Sequence, residues 1–402
     1  FVSATVDFFN SIRFFIMNAT IRLLSLMSFV VVAVMTVTGP LLPIIASDFS
    51  VLVGQAGIVV TAFAVPYGLA QLFCGPLGDR IGKLRVIAFS VLLSVVFVVA
   101  CGLSESLGQL TIFRFFSGLF MAGTIPLAMA YIADEVPYDR RQLVIGRYIN
   151  GIIWGNIAGA ALGGIAVQYF EWRQVFFFLG ILCSVIGVVL WTRCTTERVI
   201  DTPQTVKQVL RLYTKLFAEV APRTAMIAVT AEGFLLFGAM AYFGAYLRQN
   251  FGLDYDIVGL TLAFYGIGGL AYVASVKWVV PRLGERKMVV AGGGIVGCSY
   301  FALSATPVWW FCLPIFLFAG FGFYLIHNTM QTRATEISLE SRGATMSLWA
   351  FMLFFGQGCG VLVFGKIIDN YGYTMVFTSA GLGMIILGLW FQYRIRILEE
   401  NC

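Results

Sequence analysis

Val86–Ser104 reads VIAFSVLLSVVFVVACGLS, nineteen residues without a charge, directly after the cationic GKLR of Gly82–Arg85. About 20 apolar residues make a helix long enough to cross the hydrocarbon core of a bilayer, whereas a barrel strand needs alternating polar and apolar residues. Neither this run nor VVVAVM at Val30–Met35 alternates, so the reading is a transmembrane helix. Working outward, apolar runs between charged or Pro/Gly breaks give twelve such spans. Spans 1–6 cover 22–46, 53–77, 86–104, 108–133, 142–168 and 173–192; spans 7–12 cover 223–248, 255–280, 288–305, 308–332, 343–368 and 373–392.

The composition of the 402 residues agrees. Hydrophobic residues make up 59% and charged residues 11%, against about 45–50% and about 25% in soluble domains. That excludes a soluble enzyme, a nucleic-acid binder and a secreted module. A net charge of +6 without a basic, aromatic-interleaved stripe leaves nucleic acid without a footprint. The eight cysteines show no CxxC spacing and sit mostly in apolar runs, as small hydrophobes.

Lysine and arginine stay cytoplasmic. With both termini inside, 22 of the 26 cations fall in inside segments, three (Arg173, Arg248, Lys366) fall outside, and Arg114 lies within span 4. The expected location is therefore a multi-pass protein of the cell inner (plasma) membrane with cytoplasmic termini. The chain divides into 1–192, a linker at 193–222 and 223–402. In the linker, Val206, Val209, Leu210, Leu212, Tyr213, Leu216 and Phe217 share a helical face opposite Lys207, Arg211 and Lys215, which reads as an amphipathic helix on the inner leaflet.

The two large segments are copies. At an offset of 201, Glu135 meets Glu336, Arg141 meets Arg342, and Gly155, Gly159 and Gly164 meet Gly356, Gly360 and Gly365. At 202, Phe49 meets Phe251, Gly57 meets Gly259, Arg80 meets Arg282 and Gly82 meets Gly284. Two parallel six-helix halves suit a transporter that rocks two bundles about a central site.

The loop after span 2 reads GPLGDRIGKLR, Gly75–Arg85. Gly75 permits close helix approach and Gly82 a tight turn. Asp79, among Arg80, Lys83 and Arg85, can form charge-assisted bonds that hold one conformation and release another. Here the chain resembles the major facilitator superfamily, whose signature loop between helices 2 and 3 has this pattern. The resemblance implies an all-α fold of twelve transmembrane helices in two pseudo-symmetric bundles, working as a monomer. The corresponding loop after span 8, KWVVPRLGERK, has Pro281 where the first has Asp79, so the latch is expected in one copy only.

Span 4 holds Arg114 in TIFRFFSGLFMAG, similar to the helix 4 motif of the superfamily's drug:proton antiporters, where the arginine is linked to proton coupling. Span 5, GRYINGIIWGNIAGAALGG, spaces Gly151, Gly155, Gly159 and Gly163 four apart, one smooth packing face. It resembles the antiporter helix 5 motif, with Ala160 where that group commonly has proline. Span 7 carries Glu232, the one carboxylate deep within any span. A carboxylate there can take a proton from one side and give it to the other, because burial disfavours its charged form. The sole histidine, His327, lies beside Asn328 in span 10, in a segment resembling sugar- or drug-efflux permeases of bacterial inner membranes.

These residues assign proton coupling to Glu232, Arg114 and His327, and gating to Gly75, Asp79, Arg80, Gly82, Lys83, Gly155 and Gly159. Tyr67, Asn150, Trp154, Phe234, Tyr242, Tyr324 and Asn328 are assigned to a substrate cavity. No metal site, nucleotide loop or catalytic set is present, so no cofactor and no enzyme activity are expected. The expected function is proton-coupled efflux of a small organic amphiphile; symport or uniport of a metabolite, and a non-transporting receptor, are the alternatives.

Overall fold

The computed structural model describes residues 2–194, 206–336 and 342–400, and among them the chain is helical with no strand. The membrane-length helices are Ala19–Asp48, Val53–Ile81, Lys83–Gly102, Leu107–Glu135, Val144–Tyr169 and Trp172–Trp191, then Val220–Phe251, Tyr255–Ala305, Trp309–Glu336, Ala344–Tyr371 and Tyr373–Glu399. The helical run Tyr255–Ala305 holds both span 8 and span 9, because Gly284 at its centre has φ 66° and ψ 167°. The described residues therefore make the twelve expected crossings. Gly82, the repeat partner of Gly284, turns the chain between spans 2 and 3 with φ 105°. Both joints use backbone conformations that a side chain resists, which is why the two halves share a glycine there.

Each half packs by backbone approach, since lipid leaves helices no hydrophobic drive to associate. In the first, span 5 lies on span 1: a Cβ on Gly155 would come within 2.5 Å of the Phe29 carbonyl oxygen. In the second, Gly356 and Gly360 of span 11 lie against the Thr230 and Phe234 carbonyls of span 7. The glycines matched in sequence at 201 thus do the same work in space, and the result is two pseudo-symmetric six-helix bundles.

The bundles meet along spans 2 and 11 and along spans 5 and 8. Thr61 donates to the Gly358 carbonyl at 3.1 Å, and Gly266 of span 8 receives Ile157 of span 5. At the face away from the termini the contact is closed: Gly244 lies on Gly39 and Pro40, and Tyr242 donates to the Gly54 carbonyl at 3.3 Å. Asn150 and Trp154 continue the helical face that Ile157 presents to span 8, yet both are exposed, Trp154 by 54%.

Of the linker, residues 195–205 lie outside the described residues; Val206–Ala218 is helical. Its Tyr213 and Leu216 are buried in a cluster with Leu72, Met226, Ala334 and Trp349, and the Tyr213 hydroxyl donates to the Leu72 carbonyl at 2.9 Å. The apolar face of this helix is covered by both bundles, while Leu210 stays half exposed.

Candidate functional site

Span 7 runs as a regular α-helix to Glu232 and then changes to a π-turn over Gly233–Phe237. Such an inserted residue is common at functional sites because it re-aims the side chains on either side. Gly233 brings the span 7 backbone onto the Leu353 carbonyl of span 11. The Glu232 side chain reaches span 10, where its Oε2 lies 3.0 Å from Nδ1 of His327. The carboxyl is fully buried and the histidine nearly so.

The surroundings are aromatic with isolated polar atoms. The His327 ring lies 4.7 Å from that of Phe323 and 4.8 Å, edge-on, from that of Trp349. Tyr265 of span 8 stands 6.0 Å from Phe323 and interacts electrostatically with Glu232. Glu232 Oε1, the Tyr265 hydroxyl and the Trp349 indole nitrogen are all buried without a protein hydrogen-bond partner. Each such group costs about 1–3 kcal/mol when left unmet. The acid's own unmet oxygen and two unmet groups near it make a site suited to a proton and a hydrogen-bonding, partly apolar solute.

Sequence reasoning named Glu232 and His327 separately, and the structure brings them together. Tyr324 adjoins them, stacked on Tyr272 with ring centroids 6.1 Å apart, and Tyr272 hydrogen-bonds Asn328. Tyr265 and Trp349 were not singled out.

Arg114 lies elsewhere, within the first bundle. It is fully buried, donates from Nη1 to the Val34 carbonyl at 2.9 Å and stands 4.3 Å over the Phe63 ring. Its Nη2 has no protein partner, and no contact joins it to Glu232 among the described residues. Tyr67 stacks on Phe63 and meets Phe354 of the opposite bundle at 4.9 Å. Asn150 and Trp154 are exposed on span 5. Phe234 packs on Phe364 at 5.2 Å, and Tyr242 is buried in the closed seam.

At the signature loop, Lys83 Nζ is shared by Asp79 at 3.0 Å and Asp134 of span 4 at 2.6 Å, with Arg80 exposed beside them. Gly82 makes the expected turn. Gly75 has open space where a Cβ would go; the tight approach belongs to Gly78, against Leu127. The second copy retains an ion network that its sequence concealed. Glu285, the repeat partner of Lys83, takes Arg333 of span 10 at 2.5 Å, and Glu399 joins both Arg333 and Arg286. The polarity is reversed: a base in span 3 holds an acid in span 4, and an acid in span 9 holds a base in span 10.

The chain matches the family model of the Major Facilitator Superfamily over residues 24–339 and 226–401. It is 25% identical over 345 residues to the uncharacterized MFS-type transporter YceJ of Bacillus subtilis (strain 168), covering 85% of this chain and 87% of YceJ. It is 23% identical over 361 residues to the inner membrane transport protein YnfM of Escherichia coli (strain K12), covering 86% and 83%. Its fold resembles the crystal structure of a D-xylose–proton symporter with a TM-score of 0.75 at 14% identity, over 94% of this chain and 97% of that one.

Proposed function

The chain belongs to the major facilitator superfamily, a multi-pass family of membrane transporters, and on that premise we propose that it is a proton-coupled exporter of a small organic amphiphile. Glu232 carries the exchanged proton, His327 sets its bonding state and Arg114 supports coupling from the first bundle. The observation that carries this reading is the buried Glu232–His327 pair at 3.0 Å with a second carboxyl oxygen left unmet.

The chemistry follows from that geometry. A carboxylate accepts the hydrogen bond from Nδ1–H of His327. A protonated carboxyl no longer needs it and can turn its O–H elsewhere. Proton and solute therefore compete for one small set of polar atoms, which is the requirement for obligate exchange. The aromatic rings offer apolar contact to a solute and little to a strongly anionic one.

The domains in this reading are 1–192 and 223–402, tilting about the site, with 193–222 as the cytoplasmic connection. The excess of Lys and Arg toward the termini supports cytoplasmic termini in an inner (plasma) membrane. The similarity to the inner membrane transport protein YnfM supports that membrane. No metal or cofactor enters the cycle.

The test uses proteoliposomes with an imposed pH gradient and a panel of radiolabelled organic amines, weak acids and sugars. Solute moving against its gradient, opposite to the proton and with matching proton release, supports exchange. Movement with the proton establishes symport instead, and movement unaffected by the gradient establishes uniport.

A further inference from the structure

The face away from the termini is fastened by two bonds that are copies of one another. At an offset of 201, Gly54 corresponds to Tyr255, Gly164 to Gly365 and Gln168 to Asp369. In space, the Tyr255 backbone N–H at the start of span 8 donates to Gln168 Oε1 at 3.1 Å. The Gly54 backbone N–H at the start of span 2 donates to Asp369 Oδ1 at 2.8 Å. Each bond runs from the first turn of one bundle to the last turn of the other, and the glycine one turn earlier brings the backbones together. Gly164 lies on the Tyr255 carbonyl and Gly365 on the Gly54 carbonyl, while a Cβ on Gly54 would stand 2.5 Å from Asp369 Oδ2.

One acceptor is an amide and the other a carboxylate. We propose that Asp369 is a second proton-binding site of this protein, a latch between the bundles that protonation releases at the face away from the termini. A carboxylate at a helix start gains both from a charge-assisted bond and from the positive end of the helix dipole. An amide gains neither and holds equally at every pH, so the Gln168 bond is the constant half of the fastening. Span 7 presents Tyr242 and span 12 presents Tyr373, and both interact electrostatically with Asp369. The start of span 2, Val53–Gln55, has no ionisable group, and Lys366 on the same helix is exposed. Among the described residues no cation is bonded to Asp369, and Arg248 at this face bonds Asp254. Acid on that side removes the charge and biases the bundles apart there, independently of the state of Glu232.

The separation of the bundles at this face is read by electron–electron distance measurement. Spin labels are placed at Leu103→Cys and Trp310→Cys, in nanodiscs, with Cys298, Cys359 and Cys402 changed to serine. Both sites are more than half exposed, Leu103 on the turn before span 4 and Trp310 in the first turn of span 10. Between pH 7.5 and pH 4.0 the ratio of wide to narrow distances is expected to rise about 1.5-fold in the parent, because a free carboxyl is only about half protonated by pH 4.0 and the latched one less. Asp369→Asn, which makes this bond like that of Gln168, is expected to be widened already at pH 7.5 and flat with pH. Gln168→Glu, which makes both bonds titratable, is expected to steepen the response to about threefold. Glu232→Gln is expected to leave it unchanged, so this result stands or falls apart from the transport reading. A parent with no pH response, an Asp369→Asn protein that responds as the parent does, or loss of the response in Glu232→Gln overturns the proposal.

Discussion

Replacing Glu232 by glutamine separates binding from coupling. Glutamine keeps the shape and one carbonyl acceptor for His327, but it cannot gain or lose a proton. A hydrogen bond to a charged group contributes about 1.5–3 kcal/mol and a neutral one about 0.5–1.5. The 3.0 Å contact should therefore lose about 1–1.5 kcal/mol, offset by removal of a fully buried charge. Folding survives such a change. Transport does not: each pH unit of gradient is worth 1.36 kcal/mol per proton, so two units drive a one-for-one exchanger to a solute ratio of about 100. The expected ratio for Glu232→Gln is 1, with counterflow of labelled against unlabelled solute across equal pH retained within about tenfold. The assay is paired uptake in proteoliposomes, with and without the gradient, on protein whose melting temperature has been checked. Gradient-driven accumulation at the parent rate would refute the assignment of Glu232, because no proton could then be passing through it.

Other substitutions test the neighbouring claims. Trp349→Phe removes an unmet buried N–H and should raise thermal stability by about 1 kcal/mol, while a solute that uses that donor should show a KM raised about tenfold; unchanged KM removes Trp349 from the site. Gly155→Val forces span 5 off Phe29 and should cost about 1–3 kcal/mol, whereas Gly75→Ala, which meets open space, should leave the melting curve where it was. Lys83→Gln frees Asp79 and Asp134 and should lower stability by less than about 1 kcal/mol, since the pair is partly exposed. The exchange Lys83→Glu with Asp134→Lys should recover transport lost in either single change, and a failure to recover argues against the pair. Arg114→Met should hold or raise the melting temperature yet abolish gradient-driven transport, and full activity would reduce Arg114 to a packing residue.

The helices, their ends and their duplication were legible because the bilayer imposes length and because a turn such as Gly82 or Gly284 admits few residues. Rotation was not. Nothing in GPLGDRIGKLR says that Gly78 and not Gly75 faces Leu127, and nothing in the apolar run around Arg114 says that it turns to the Val34 carbonyl. A signal for the site did exist in the duplication. Subtracting 201 sets Glu232 against Val31 and His327 against Pro126, polar residues whose sister positions carry no charge or titratable ring. Trp349 and Tyr265 leave no such trace, since an aromatic in a membrane helix is as much at home facing lipid.

The opposed polarity of the two loop networks also bears on how such a chain is assembled. Sister halves this alike are apt to exchange partners as they enter the membrane. A first half that offered Lys83 to span 10 would meet Arg333, and a second half that offered Glu285 to span 4 would meet Asp134. Each half repels its sibling's anchor and accepts its own, so the gene duplication brought with it a means of telling the twins apart.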